Sequence, residues 1–185
     1  MKIALCQINP IIGDIGGNKA KIEEGYQRGL SDGVDLVIFP ELAICGYPPQ
    51  DLIEKKEFRQ AVQNAARDLA SVTGETGLLF GSITEQDELV GTGIYNSALL
   101  CYNGKIQFVQ NKTLLPNYDV FDEVRYFESA KEVHVHKFKA EKLKEKTFWL
   151  YGSSIFLINC IVVSRLIISC NIFNVALLPL PVILF

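Results

Sequence analysis

A single carboxylate, Glu41, stands directly after the apolar run Leu36-Val37-Ile38-Phe39, in the segment Phe39-Pro40-Glu41-Leu42-Ala43-Ile44-Cys45-Gly46-Tyr47-Pro48-Pro49. A strand that ends on Pro-Glu projects its acid from the rim of a sheet, where reactive groups sit on a rigid scaffold. Further along, Asn111-Lys112-Thr113-Leu114-Leu115-Pro116-Asn117-Tyr118-Asp119-Val120-Phe121-Asp122-Glu123 repeats the arrangement, with a lysine at the end of a strand. An acid and an ammonium group so placed could serve a cysteine nucleophile. Each also has a plainer reading: Glu41 as a loop acid capping backbone amides, Lys112 as a surface lysine. The third member is the difficulty, because no cysteine stands where one would be needed.

The elements that must position these groups follow from periodicity. Residues 3–8 form a short apolar run that reads as a buried strand, ended by Asn9-Pro10. Gly13-Asp14-Ile15-Gly16-Gly17-Asn18 reads as a loop finishing at a helix N-cap, Asn18. Ile22, Tyr26 and Leu30 then recur at four-residue spacing, which predicts a helix that stops near Gly33. Residues 35–39 are the next strand, and strand–helix–strand favours a parallel pair joined by a right-handed crossover. Phe58, Val62, Ala65, Ala66 and Leu69 make a second helical stripe, followed by a third strand at 77–83. Residues 95–102 and 106–109 flank Asn103-Gly104, a strong two-residue hairpin signal. Residues 132–138 predict one more strand. The sum is an α/β layer with a mixed sheet and helices on one side.

A chain of 185 residues suffices for one domain with a sizeable core. Hydrophobic residues make up 49% and charged residues 21%, which places it among globular rather than disordered chains. The formal net charge of −3 argues against a broad basic surface for nucleic acid. The five cysteines (Cys6, Cys45, Cys101, Cys160 and Cys170) are odd in number and lack C-x-x-C spacing. They read as neither a disulfide framework nor a metal site, which suits a reducing cytosol. Lys2 is followed by a short strand rather than a secretory signal, so a cytoplasmic location is expected.

These motifs resemble the nitrilase (carbon–nitrogen hydrolase) superfamily, and within it the glutaminase domains of glutamine-dependent NAD synthetases. The resemblance rests on Asn9-Pro10 with Gly13-Asp14-Ile15 and Asn18, on Pro40-Glu41-Leu42 through Gly46-Tyr47-Pro48-Pro49, and on Lys112 through Tyr126-Phe127. The string Tyr118-Asp119-Val120-Phe121-Asp122-Glu123 is its most specific part. The resemblance implies a nitrilase-type α-β-β-α sandwich with a mixed sheet, here incomplete. It also implies a Glu–Lys–Cys triad acting on the amide of glutamine. By position, Glu41 is then the general base and Lys112 the group that stabilises the tetrahedral oxyanion. Tyr118 matches a position that contacts glutamine, and Glu123 a supporting second acid.

Chemistry gives these residue types a reason. A free thiol near pKa ~8.5 must lose its proton before it attacks. A buried carboxylate can take that proton and return it to the leaving ammonia. One fixed donor near the carbonyl oxygen is often worth roughly 3–4 kcal/mol as charge develops. The ammonia would then serve ATP-dependent amidation of deamido-NAD in a separate domain. No cofactor is therefore expected in this region. The resemblance also implies pairing of like chains.

In the family the nucleophile follows the lysine by about three dozen residues, in a Cys-Glu-Asp setting. That register falls here on Thr147-Phe148-Trp149-Leu150, and no Glu-Asp follows. Cys160 lies in a plain apolar run without an acidic neighbour, and all five cysteines read as structural. Resemblance fades near Ala140, dividing a partial glutaminase domain at 1–140 from an apolar tail at 141–185. From residue 147 onward the only charged side chain is Arg165. Three readings of the tail stand: a frame-shifted or interrupted continuation, a membrane segment at 166–185, or a divergent core segment that completes the sheet. Asn171, Asn174, Pro179 and Pro181 count against the membrane segment. The expectation is a glutaminase relative without its nucleophile and inactive alone. A stand-alone amidase or nitrilase, or a non-catalytic or membrane-associated remnant, are the alternatives.

Overall fold

A computed structural model describes residues 2–86, 91–118 and 121–131, together with the backbone of 135–138, 148–151 and 182–184. The elements run β1 (Ile3–Leu5), α1 (Ile15–Ser31), β2 (Leu36–Ile38), a 3-10 turn (Gln50–Glu54) and α2 (Lys56–Ser71). They continue with β3 (Gly77–Glu85), β4 (Ile94–Tyr102), β5 (Lys105–Asn111), α3 (Glu123–Tyr126), β6 (Val135–Phe138), β7 (Phe148–Tyr151) and β8 (Val182–Leu184). One six-stranded sheet has the order β5-β4-β3-β2-β1-β8, and β6 and β7 form a separate antiparallel pair.

The strands β8, β1, β2 and β3 are mutually parallel, and β3, β4 and β5 form an antiparallel meander. The sheet is thus mixed and the fold α/β. Asn103 and Gly104 close the β4–β5 hairpin with φ of 52° and 75°, the left-handed pair that a two-residue hairpin of this hand requires. Strand alternation and register line up Ala4, Val37, Leu78 and Cys101 on one face, in the same core cluster as Ile22, Val62 and Leu69 of the helices. Ile38, Leu79 and Leu100 are in register on the opposite face and are buried as well. Burial on both faces explains why the inner strands read as continuous apolar runs.

Two local expectations are corrected. The cap of α1 is Asp14, four residues before Asn18, and its side chain accepts from Gly17 N at 2.9 Å. Asn18 lies inside the helix, fully buried, where its side chain bonds Ile11 N, Ile11 O and Ile44 O. It joins the β1–α1 loop to the segment after Glu41. Leu30 is 39% exposed rather than part of the buried stripe. Four-residue steps gain about 40° per step on a 3.6-residue helix, so Leu30 has rotated away and Gly29 takes the core-facing place.

Because β5 and β3 both run antiparallel to β4, the carboxyl ends of β2, β3 and β5 share one edge of the sheet. Glu41 follows β2 and Lys112 follows β5, so topology brings both to that edge. Among the described residues, no helix is long and apolar enough to cross a membrane. The segment 166–185 lies outside them apart from the β8 backbone.

Candidate active site

Glu41 is set by a close backbone approach. Gly81 N donates to Pro40 O at 3.1 Å, and a Cβ on Gly81 would lie 2.7 Å from Glu41 Cα. Only glycine lets the turn after β2 rest on β3. The next residue, Leu42, is fully buried with φ of 46°, an unusual conformation for a branched side chain. Gly46 closes the turn at φ 80°, and a Cβ there would lie 2.7 Å from Ile12 Cα. These contacts fix the acid to the rim through its backbone.

Lys112 is held with equal definition. Its backbone N donates to Asn96 O on β4 at 2.8 Å, and its carbonyl accepts from Ala130 N at 2.9 Å. The segment from 112 to 131 is further stitched to β4 by Glu128 N to Ile94 O at 2.8 Å and by Gly93 N to Glu128 Oε1 at 2.9 Å. Glu123 opens the single-turn helix α3, and its carbonyl accepts from Phe127 N at 2.8 Å.

At the edge these side chains meet. Lys112 Nζ donates to Glu41 Oε1 at 2.8 Å and to Glu123 Oε1 and Oε2 at 3.0 and 2.9 Å. Side-chain exposure is 12% for Lys112, 6% for Glu41 and 5% for Glu123, so one cation lies between two carboxylates largely away from water. Tyr47 OH donates to Glu123 Oε1 at 2.9 Å, and Asn96 Nδ2 donates to Glu41 Oε1 at 2.5 Å. Burial raises the Glu41 carboxyl above its ordinary range, and the nearby Glu123 charge adds to this against the opposing pull of Lys112 and Asn96. Burial and the Glu123 carboxylate also raise the Tyr47 phenol, keeping it a neutral donor.

The structure therefore brings Glu41, Lys112 and Glu123 into one cluster. Tyr118 stands further out, 69% exposed. Its ring packs edge-on against Phe121 at 5.6 Å, and Phe121 lies 6.3 Å from Tyr47. Those three rings form an aromatic wall from the cluster to solvent. Asp119 and Val120 lie outside the described residues. Asn96 and Gly81 are site residues that the sequence reading missed. Their signals were a polar residue and a glycine inside otherwise apolar strands.

Cys6, Cys45 and Cys101 are buried, and burial pushes their thiols up to about 11, 12 and 12. Cys45, though near Glu41 in sequence, turns its Sγ onto Leu42 O and Gly46 O. Cys160 and Cys170 lie outside the described residues. Among those described, no group of three or more His, Cys, Asp or Glu is arranged to hold a metal ion. The cluster pairs a fixed cation with a carboxylate of raised proton affinity, a combination suited to stabilising an oxyanion and moving a proton. A separate open groove of about 550 Å³, lined by Leu114, Leu115, Val124 and Phe127 among others, includes neither Glu41 nor Lys112.

Residues 2–167 match the sequence profile of the family described as carbon-nitrogen hydrolase. The match includes residues beyond 140. A glutamine-dependent NAD(+) synthetase from Synechocystis sp. is 35% identical over 170 residues, covering 85% of this chain and 30% of that protein. The solved glutamine-dependent NAD+ synthetase from Acinetobacter baumannii superposes with a TM-score of 0.66 at 38% identity, over 74% of this chain and 25% of that one. An amidase from Nesterenkonia sp. shares the fold, with a TM-score of 0.58 at 18% identity over 80% of this chain and 55% of its own. The chain thus spans a quarter to a third of the length of the synthetases it matches.

Proposed function

Because the chain belongs to the carbon–nitrogen hydrolase family, we propose that its edge cluster is the amide site of a glutaminase domain of the glutamine-dependent NAD synthetase kind. The observation that carries this reading is Lys112 Nζ, buried between Glu41 and Glu123 at the carboxyl edge of the sheet. Glu41 serves as general base, and Lys112 holds the carbonyl oxygen of the substrate amide. Glu123 orients Lys112 and is itself oriented by Tyr47. Tyr118, on the open side, contacts the remainder of glutamine.

The chemistry stops short of turnover. The resemblance puts the register of the family's nucleophile on Thr147-Phe148-Trp149-Leu150, and the three described cysteines are buried thiols held protonated. Among the described residues Glu41 then has no sulfhydryl to deprotonate, and Lys112 can bind an amide without an acyl transfer following. ATP-dependent amidation of deamido-NAD, with ATP and deamido-NAD as its ligands, belongs outside these 185 residues. We read the chain as cytoplasmic and as pairing with its own kind, in line with the resemblance.

Titration calorimetry with glutamine tests the reading. Glutamine is expected to bind, and Tyr118→Ala to weaken that binding by about tenfold, equivalent to about 1.4 kcal/mol. Binding of simple amides or nitriles with none of glutamine would replace it by a stand-alone amidase or nitrilase site.

A further inference from the structure

Asn96 lies on β4 opposite Ile83, and its side chain is fully buried. Its Nδ2 donates to Oε1 of Glu41, the same oxygen that Lys112 Nζ holds at 2.8 Å. Among the described residues no donor reaches Oε2 of Glu41. The main chain of Asn96 also anchors the lysine, since its carbonyl accepts from Lys112 N at 2.8 Å. One residue therefore sets the position of both the acid and the cation.

Stability does not explain an asparagine here. Its Oδ1 is buried without a hydrogen-bond partner among the described residues. A buried amide with its acceptor unused is less favourable than an apolar side chain of the same shape. The part that is used is the donor, and its partner is Glu41.

We propose that Asn96 is a positioning residue: with Lys112 it occupies Oε1 of Glu41 and thereby reserves Oε2 as the oxygen that takes up the proton. The assignment rests on the reading of Glu41 as the base. A carboxylate held by two donors on one oxygen cannot rotate to present that oxygen to a reacting group, so the proton is received in one fixed direction. The charged and titratable groups around Glu41 are Lys112 and Glu123 at the rim and Tyr47 beyond Glu123. Asn96 is the neutral donor among them.

Carboxyl carbon-13 NMR of the whole chain, without substrate, tests this directly, with the Glu41 signal identified by its loss in Glu41→Gln. Asn96→Leu removes the donor at nearly constant shape and is expected to raise the Glu41 titration midpoint by about one pH unit. Asn96→Ala gives the same shift if the leucine variant does not fold. An unchanged midpoint in a folded variant overturns the proposal, because a merely structural asparagine would alter the denaturation midpoint and leave Glu41 where it is. The titration needs no ligand, so its outcome is separate from whether glutamine binds, which decides the reading of the site.

Discussion

Lys112 Nζ lies 2.8 Å from Glu41 Oε1, although the two residues are 71 positions apart in the chain. Glu123 holds the other side of the same ammonium group at 2.9 Å. Removing the cation leaves two carboxylates facing each other in a site that excludes most water. Lys112→Met is expected to cost about 3–5 kcal/mol of stability, the usual penalty for stranding a buried charge. In a background of Glu41→Gln and Glu123→Gln the same change should cost much less. Urea denaturation reads both backgrounds, and equal losses would show that charge pairing is not what holds the cluster.

The pH dependence of stability has a defined sign. Burial lifts Glu41 above 4.5, its ordinary value. A carboxyl with a raised folded value binds its proton more tightly in the folded chain. Its contribution to stability is full below 4.5 and is lost as the pH rises through the folded value. Glu41→Gln carries no such dependence. Its stability relative to the parent should therefore improve as pH rises above 4.5, by about 1.4 kcal/mol for each pH unit of elevation. Denaturation series between pH 4 and 7 measure this, and a difference of the opposite slope would contradict it.

Gly81→Ala is expected to displace the turn that carries Glu41, because the new methyl would meet the Glu41 and Leu42 backbone. Backbone cannot rotate aside as a side chain can, so a loss of about 1–3 kcal/mol is expected. Gly46→Ala adds a left-handed conformation to a clash with Ile12, and should cost at least as much. Thermal denaturation gives the stabilities, and the Glu41 carboxyl signal shows whether the acid has moved.

Cys6, Cys45 and Cys101 should resist alkylation in the folded chain. Their thiols are pushed up to about 11, 12 and 12, against about 8.5 for a free cysteine, and burial blocks access. Iodoacetamide at pH 8, followed by mass spectrometry of peptides, should modify them only after denaturation. Rapid native labelling of Cys45 would reveal a reactive thiol beside Glu41.

Glu41 and Lys112 were legible because each ends an apolar strand within a recognisable block; the parallel β2–β3 pair and the antiparallel β3-β4-β5 meander then put them on one edge. Glu123 was legible as an acid but not as a partner of Lys112, since the loop and α3 that return it follow no periodicity. Asn18 looked like a cap because loop glycines precede it. A buried asparagine bridging two loops leaves the same local trace, and only the tertiary contact to Ile44 separates them. Asn96 was hidden for a similar reason. Its neighbours predict a strand, and a strand pattern does not say which polar side chain will meet an acid from another strand. Tyr118 was singled out by resemblance alone, and its exposed ring takes its place through Phe121 rather than through Lys112.

Ammonia release from glutamine by the 185-residue chain puts to the test most directly the claim that Glu41 and Lys112 meet in an amide site with no reactive thiol among the described residues. Release at the uncatalysed background rate is expected, and Glu41→Ala should leave it unchanged. Release above background that disappears in Glu41→Ala would contradict the claim.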